Sequence, residues 1–480
     1  MPASDLRFPE LRTWVAGAPE PSAVRDDVSL HDPNTGDVLA ESWSSSSSQV
    51  DAAIAAAADA HAQGDWLALG VEGRVPFLER FADELDAVAE PVARLDSLNS
   101  GVPISVTRLF AESNGGTVRS AIARARAAGD ATRLDADGRD VVVHRIPWGP
   151  AALIIPWNAP SAMAVKKMAY ALAAGAPVVL KPSSASPWSA QLIAEAASRA
   201  GFPDGLVNLV LGGATVGEQL VRDPRIRAIS MTGSTPTGRS IAAAAGPNFT
   251  RLRLELGANN AAIVLPDADL ASTADQLVTG FTKLSGQWCE APRRVIVVGD
   301  PEPLVAVLEE RLARMVLGSS LDDATELGPV AFEARRDELV ALRDGLGGRV
   351  IEVGTVPDHG YFVPPTLVIT DRDPEGELFG PVLAIRTAAD EESALVIANS
   401  GPVGLAGYVF GGDIAAASRL GARLDAGEVK INGTSVLDMA GESEQSFFGS
   451  SGYGGHGDAG VLDFFVGSRI VGTDAPGLPL

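Results

Sequence analysis

Sulfur and imidazole are nearly absent from this chain of 480 residues, which has one cysteine, Cys289, and five histidines at His31, His61, His144, His359 and His456. One thiol forms no intrachain disulfide, and no two histidines stand at metal-motif spacing, so neither a disulfide framework nor structural zinc is expected. Positive charge is also scarce: 38 Lys and Arg against 61 Asp and Glu leave a formal net charge of −23 at pH 7. A phosphate backbone demands clustered cations, so nucleic acid is excluded as a partner. Long apolar runs are missing too. The run at 151–157 falls far below the ~18 residues of a spanning helix, and MPASDLRFPE lacks the basic and apolar regions of a secretory leader. The expectation is a soluble cytoplasmic protein with no membrane partner. What is plentiful is Ala and Gly, within 46% hydrophobic residues. That is enough to give a core to each of the roughly two to four domains this length implies.

The apolar spacing is helical from Val50 to about Ala128 and changes near residue 140. AALIIPWN, PVVLKPSS, GLVNLVLGG, IRAISMTGS and RLRLELG then read as five short strands separated by Ala-rich helical stretches. A second series runs through AAIVL, RRVIVV, GRVIEVG, PTLVIT, PVLAIRT, AGYVF and EVKING. Strand and helix in strict alternation imply parallel sheets with crossover helices, hence two α/β domains. VLDFFVGSRIV, near the C-terminus, reads as a strand.

Three residues sit where such sheets place chemistry. Cys289, in SGQWCEAP, falls between a helical stretch and a strand. A lone cysteine is most often a small buried hydrophobe, but element ends are also where nucleophiles stand. Glu255 ends the strand RLRLELG. Alternation alone makes it an exposed carboxylate; the crevice at the C-terminal ends of parallel strands makes it a general base. Asn158 follows Trp157 at another strand end, as an ordinary helix cap or as an amide donor to an oxyanion. MTGSTPTGRS has the GxxxxG spacing of a P-loop with Arg239 where the lysine belongs, which speaks against nucleotide hydrolysis while leaving a pyrophosphate at the helix N-terminus. No strand of the first series is followed by the fingerprint GxGxxG.

Together these segments resemble the aldehyde dehydrogenase superfamily from about residue 30 to residue 472. PWNAP (156–160), LKPS (180–183), MTGSTPTG (231–238), LELG (254–257), GQWC (286–289), ELFGPV (377–382) and the glycines after Phe448 carry the resemblance, all in the family's order. It implies that Cys289 attacks an aldehyde, that Asn158 and the Cys289 N–H hold the oxyanion, that hydride passes to NAD or NADP, and that Glu255 activates the water that cleaves the thioester. On the cofactor it implies Lys181 at the adenosine ribose, with Ser183 and Ser184 following it. Ser234 and the helix after Gly233 take the pyrophosphate, and Glu377 takes the nicotinamide ribose with Phe379 beside it. Pro156, Trp157, Gly213, Gly217, Leu256 and Gly257 complete that set. No metal is required.

The family's plan also implies residues 1–127 and 147–257 as the cofactor-binding domain and 258–450 as the catalytic domain. Segments 128–146 and 451–480 would join the subunits of a homodimer or homotetramer. Met163, Lys166, Lys283, Trp288, Glu290 and Phe448 fall at the substrate pocket. Lys166 and Lys283 stand where relatives carry aromatics, which favours a polar, anionic or aromatic aldehyde. His456 stands where relatives carry an acid near the base, so His456 and Lys167 are candidates for proton transfer. Against this stand a CoA-acylating enzyme, a thiol esterase and a scaffold without activity. Ser184 replaces a glutamate that would repel a 2′-phosphate, so both cofactors are expected to work. The ratio of kcat/KM for NAD over NADP should stay below about one hundred, and a larger value refutes dual use.

Overall fold

The alternation of short apolar runs with Ala-rich helices builds two sheets in the computed structural model, which describes residues 7–136, 139–436, 439–440 and 443–473. The first contains β1 (Ala151–Ile154), β2 (Val178–Lys181), β3 (Val207–Leu209), β4 (Ala228–Thr232) and β5 (Arg251–Glu255). All five are parallel, in the order β3-β2-β1-β4-β5. The chain winds outward from β1 to β3 and then returns to the other side of β1. That reversal opens a crevice at the carboxyl ends of β1 and β4, the place where doubly wound sheets bind ligands.

The second sheet contains β6 (Asn260–Val264), β7 (Pro292–Val298), β8 (Arg349–Glu352), β9 (Thr366–Ile369), β10 (Val382–Ala388), β11 (Ala406–Phe410) and β12 (Glu428–Ile431). Its order is β8-β9-β10-β7-β6-β11-β12, with β8 alone antiparallel to its neighbour. The architecture is therefore α/β with two doubly wound sheets, and a small β extension is added to it.

Helices Ser47–Gln63, Gly70–Ala87, Ala89–Ser100 and Ile104–Ala128 fill the helical stretch expected before residue 128. The serine run begins the first of them: Ser46 accepts from the Gln49 N–H while the Gln49 side chain accepts from the Ser46 N–H. This reciprocal cap satisfies two otherwise orphaned donors. Leu78, Phe81, Tyr170 and Trp188 are buried where these helices meet the first sheet.

The C-terminal segment departs from expectation. Asp458–Phe464 is a helix, and only Val466–Gly472 is a strand. Val461, Leu462 and Phe465 point into the core of the first sheet's helices, which is the apolar burial that the run of hydrophobics had suggested for a strand. Val466–Gly472 pairs antiparallel with Arg139–Pro147 of the same chain, and Arg139–Pro147 also pairs with Ala131–Ala136. Residues 1–6, 137–138 and 474–480 of the expected segments lie outside the described residues.

β5, which carries Glu255, is not an edge. Gly452 and Tyr453 pair with Glu255 and Leu254. Gly452 has φ +133°, and a Cβ there would stand 1.8 Å from the Leu254 carbonyl oxygen. Gly452→Ala should therefore lose roughly 1–3 kcal/mol of stability and lower the thermal midpoint, with reduced activity because Glu255 shares that pairing. An unchanged midpoint by calorimetry refutes the constraint.

Candidate active site

Strand ends deliver the candidate residues to one cavity of about 980 Å3. β1 runs on into Pro156, Trp157 and Asn158, β2 ends at Lys181, β4 leads to Gly233 and Ser234, and β5 ends in Glu255, Leu256 and Gly257. Ser183, Ser184, Gly213, Gly217, Cys289, Glu377 and Phe379 line the same cavity.

The cofactor half of the cavity fits a dinucleotide. Burial lowers the Lys181 ammonium to about 8, with the Asp26 charge opposing the shift. Its hydrogen bond is a long one to the Pro182 carbonyl, at 3.4 Å. Beside it, a Cβ on Gly217 would be in ordinary contact with the Lys181 side chain at 3.5 Å, and both residues line the cleft. Ser234 caps the helix Thr235–Ala245 by accepting from the Thr237 N–H, and Ser234, Pro236 and Thr237 line the cavity. Such a terminus suits a pyrophosphate. Arg239, at the P-loop lysine position, turns to the Ser450 hydroxyl at 3.1 Å. Phe379 meets Trp157 edge-on at 5.4 Å. Glu377 is folded onto the backbone, accepting from the Ala258 N–H at 3.1 Å, and burial raises its carboxyl against the pull of Arg293.

The Cys289 loop is strained and clamped. Leu284 (φ 53°), Ser285 (φ 56°) and Gly286 (φ 75°) are left-handed in succession. The two residues with side chains are disfavoured there, at a cost of roughly 1–3 kcal/mol each. A Cβ on Gly286 would lie 2.2 Å from the Gly380 carbonyl carbon, so the loop packs directly on backbone. Gln287 donates to the Ser100 carbonyl at 2.9 Å and accepts from the Ala331 N–H at 2.9 Å. Arg293, wholly buried, donates to the carbonyls of Gly286 (3.0 Å), Trp288 (2.8 Å), Gly380 (3.1 Å) and Leu378. Asn260 holds the carbonyls of Cys289 and Ala291, both at 2.9 Å, and the Tyr408 hydroxyl donates to the Glu290 carbonyl at 2.6 Å. Arg293, Asn260 and Tyr408 were not foreseen from sequence, where they read as ordinary strand residues.

At the centre, the Cys289 thiol donates to Glu255 Oε1 at 3.4 Å. The Thr232 hydroxyl donates to Oε2 at 3.0 Å, and His456 Nε2 lies 3.2 Å from Oε1. Burial by itself would raise the Glu255 carboxyl. His456 as imidazolium and donor, with the Lys167 and Arg253 charges, outweighs burial and holds it well below the usual carboxylate range. The thiol moves the other way: burial, then the negative charges of Glu255 and Glu290 and the bond to Glu255, push it well above its ordinary value. Lys167, buried and bonded to the Ser230 hydroxyl at 2.9 Å, is lowered to about 7 by burial and by Arg253, with Glu255 opposing. Asn158 Nδ2 donates to the Gln287 carbonyl at 2.8 Å, which leaves its second N–H beside the thiol loop.

The substrate-pocket residues are placed less uniformly. Trp288 is buried against Leu284, Val102 and Ala291, with Val106, Phe110, Ala159 and Cys289 packed on that group. Lys283 Nζ lies 4.5 Å above the Trp288 ring and donates to the Thr434 carbonyl at 2.8 Å. Lys166 is not free for a substrate anion, because its ammonium pairs with Asp458 at 3.6 Å. Met163 packs against the helical core. Glu290 is buried, its carboxyl raised by burial against the pull of His456 and Lys430. Phe448 does not close the site: it is 49% exposed, whereas Phe447 is 8% exposed, packs beside Cys289 and meets His456 edge-on at 5.0 Å. Phe447 lies in the link between the short strands Gln445–Ser446 and Phe448–Gly449, and it takes the inward position.

A thiol beside a buried carboxylate, an amide donor and a cleft suited to a dinucleotide define an oxidoreductase site of the thiol-nucleophile class. The chain belongs to the aldehyde dehydrogenase family, whose model matches residues 20–471. It is 33% identical over 433 residues to a betaine aldehyde dehydrogenase of Rhizobium leguminosarum bv. trifolii, covering 87% of this chain and 88% of that one. It is 36% identical over 406 residues to a geranial dehydrogenase of Castellaniella defragrans, covering 80% and 83%. The crystal structure of betaine aldehyde dehydrogenase from Staphylococcus aureus in complex with NAD+ superposes with a TM-score of 0.91 at 26% identity, covering 98% of this chain and 96% of that one. The chain is an NAD(P)-dependent enzyme that oxidises aldehydes. No helix among the described residues is long and apolar enough to cross a membrane.

Because the Glu255 charge and its bond hold the proton on sulfur, Glu255→Gln should move the pH midpoint of Cys289 alkylation by iodoacetamide downward, by roughly one unit or more. A midpoint that stays or rises refutes this account of the thiol.

Proposed function

We propose that Cys289 is the nucleophile, Glu255 the general base and Asn158 the oxyanion donor in oxidation of an aldehyde to its carboxylic acid. The observation that carries this reading is the direct bond from the Cys289 thiol to Glu255. The thiol proton passes to Glu255 as sulfur bonds to the carbonyl carbon, and the new oxyanion rests on the free Asn158 N–H and the Cys289 backbone N–H. A bound nicotinamide would supply the acceptor for the hydride that this carbon loses, so that the acyl group would remain on sulfur as a thioester. Glu255 then takes a proton from water, the water oxygen bonds to the acyl carbon, and the C–S bond breaks to release the acid and the thiolate.

Lys181, Ser183 and Ser184 would hold the adenosine ribose, Ser234 and the helix after Gly233 the pyrophosphate, and Glu377 the nicotinamide ribose. The absence of an acid at Ser184, with Lys181 on the cleft wall, supports use of both NAD and NADP. One carboxylate cannot keep two protons, so the first must leave before water is activated. His456, 3.2 Å from Glu255 and with a side chain 20% exposed, supports that exit to solvent.

Water as the acyl acceptor follows from the buried, ionised Glu255 and sets this reading apart from transfer to CoA. The exposed Ile470 and Val471 on the edge strand Val466–Gly472 support a homodimer or homotetramer joined there. The single free thiol supports a cytoplasmic location, where thiols stay reduced.

Absorbance at 340 nm, with an aldehyde panel, either cofactor, and CoA present or absent, should show reduced cofactor and free acid without CoA. Cys289→Ala should lose at least about a thousand-fold in rate. Ester hydrolysis without cofactor reduction, or strict dependence on CoA, overturns the reading. His456→Gln should move the acid-side limb of the kcat profile by roughly one pH unit or more, and an unchanged limb removes the histidine from the proton path.

A further inference from the structure

The nucleophile stands between two surfaces. On one side lies the cofactor cleft, with Asn158, Glu255, Glu377 and Cys289 on its wall. On the other, Cys289 packs against an apolar group that includes Trp288, Val106, Phe110 and Ala159. With the cleft given to the dinucleotide, the organic part of the aldehyde has this apolar wall to lie against. An indole face on such a wall is the surface that recognises quaternary ammonium groups.

Here that face already carries a cation. Lys283 Nζ sits 4.5 Å above the Trp288 ring, anchored by one N–H to the Thr434 carbonyl at 2.8 Å. An ammonium has three donors, so two remain for an acceptor. Among the described residues, no carboxylate lies within ion-pair distance of Lys283, whereas Lys166 is paired with Asp458 and Lys430 with Glu428. Glu290, the acid whose charge acts on Lys283, is buried with its carboxyl raised by burial, and it also feels the His456 and Lys430 charges. Lys283 therefore presents a positive charge that the protein leaves largely uncompensated.

We propose that Lys283, laid on Trp288, is a charge filter of the aldehyde site that rejects aldehydes bearing a cationic group and favours those with a distal carboxylate or other acceptor. The filter rests on the assignment of Cys289 as nucleophile, and it separates this chain from relatives named for betaine aldehyde, whose trimethylammonium group would meet a like charge. Burial, with Lys430 adding to it and Glu290 opposing, lowers the Lys283 ammonium to about 8. The filter is thus charged at neutral pH and relaxes in mild alkali.

The test compares kcat/KM for betaine aldehyde, its uncharged isostere 3,3-dimethylbutanal, and succinic semialdehyde with its methyl ester. In the unmodified enzyme at neutral pH, the isostere should exceed betaine aldehyde by about ten-fold or more, and the acid should exceed its ester. Lys283→Met should bring both ratios to within about three-fold of one, while Lys283→Arg, which keeps the charge, preserves them. The isostere-to-betaine ratio of the unmodified enzyme should also fall as pH rises through about 8, a readout that needs no variant. Betaine aldehyde oxidised as well as its isostere, ratios untouched in Lys283→Met, or a ratio flat with pH each overturns the filter while leaving the dehydrogenase reading intact. Failure to oxidise any aldehyde removes both.

Discussion

A thiol and a carboxylate 3.4 Å apart in a buried site cannot both be charged, and the rest of the active site follows from that constraint. Two anions at this distance repel strongly where water is excluded, so they share one proton. The cations around Glu255 lower its carboxyl and burial raises the thiol, which favours the form in which sulfur holds that proton. A buried carboxylate persists only with compensation, and β4, β5 and the helix Pro160–Ala173 supply it through Thr232, Arg253 and Lys167, with His456 closing the set from the C-terminal glycine turns. The pairing of Gly452 with Glu255 brings that turn close enough for His456 to reach the carboxylate.

The same constraint explains why the nucleophile rides on a strained loop. Sulfur must sit within reach of Glu255, on the first sheet, while its own backbone belongs to the entrance of β7 on the second. Three left-handed residues in succession make the turn that joins these demands, and the cost is met by hydrogen bonds from Arg293, Asn158, Asn260 and Tyr408 to the carbonyls of Gly286, Gln287, Trp288, Cys289 and Glu290. Strain of this kind survives only where the surroundings over-determine it. Preorganisation is the gain: the Cys289 N–H and Asn158 are held in place before substrate arrives.

Much of this was legible in the sequence, for identifiable reasons. Strand ends are marked by apolar runs stopping at Pro, Gly or Ser, so Asn158, Lys181, Gly233, Glu255 and Cys289 could be placed at the mouth of the sheets, and the resemblance to a known family gave them roles. Alternation failed for Glu255, because a strand covered on both faces and along its edge buries Arg253 and Leu254 with it. The tail helix Asp458–Phe464 was misread because a short apolar run looks the same in either structure and docking decides between them. His456 beside Glu255 was legible only through the family resemblance, and pairings between distant segments, such as Lys166 with Asp458, were invisible. So was the choice between Phe447 and Phe448, which depends on a one-residue register.

The lysines of the site show how much meaning a formal charge leaves open. Against a net charge of −23, Lys166, Lys167, Lys181 and Lys283 look alike in the sequence. Their surroundings make them four different groups. Lys166 is neutralised by a partly exposed partner and contributes little beyond packing. Lys167 is buried beside a hydroxyl and acts on Glu255 through its field. Lys181 lines the cleft beside Gly217. Lys283 lies on an indole with its charge uncompensated. Desolvation lowers the last three, to about 7, 8 and 8, so each gains most from a negative partner. On the proposed assignments that partner is Glu255 for Lys167, the cofactor for Lys181 and the substrate for Lys283. In a chain this acidic, the desolvated cations Lys167, Lys181 and Lys283 are a local exception at the candidate site.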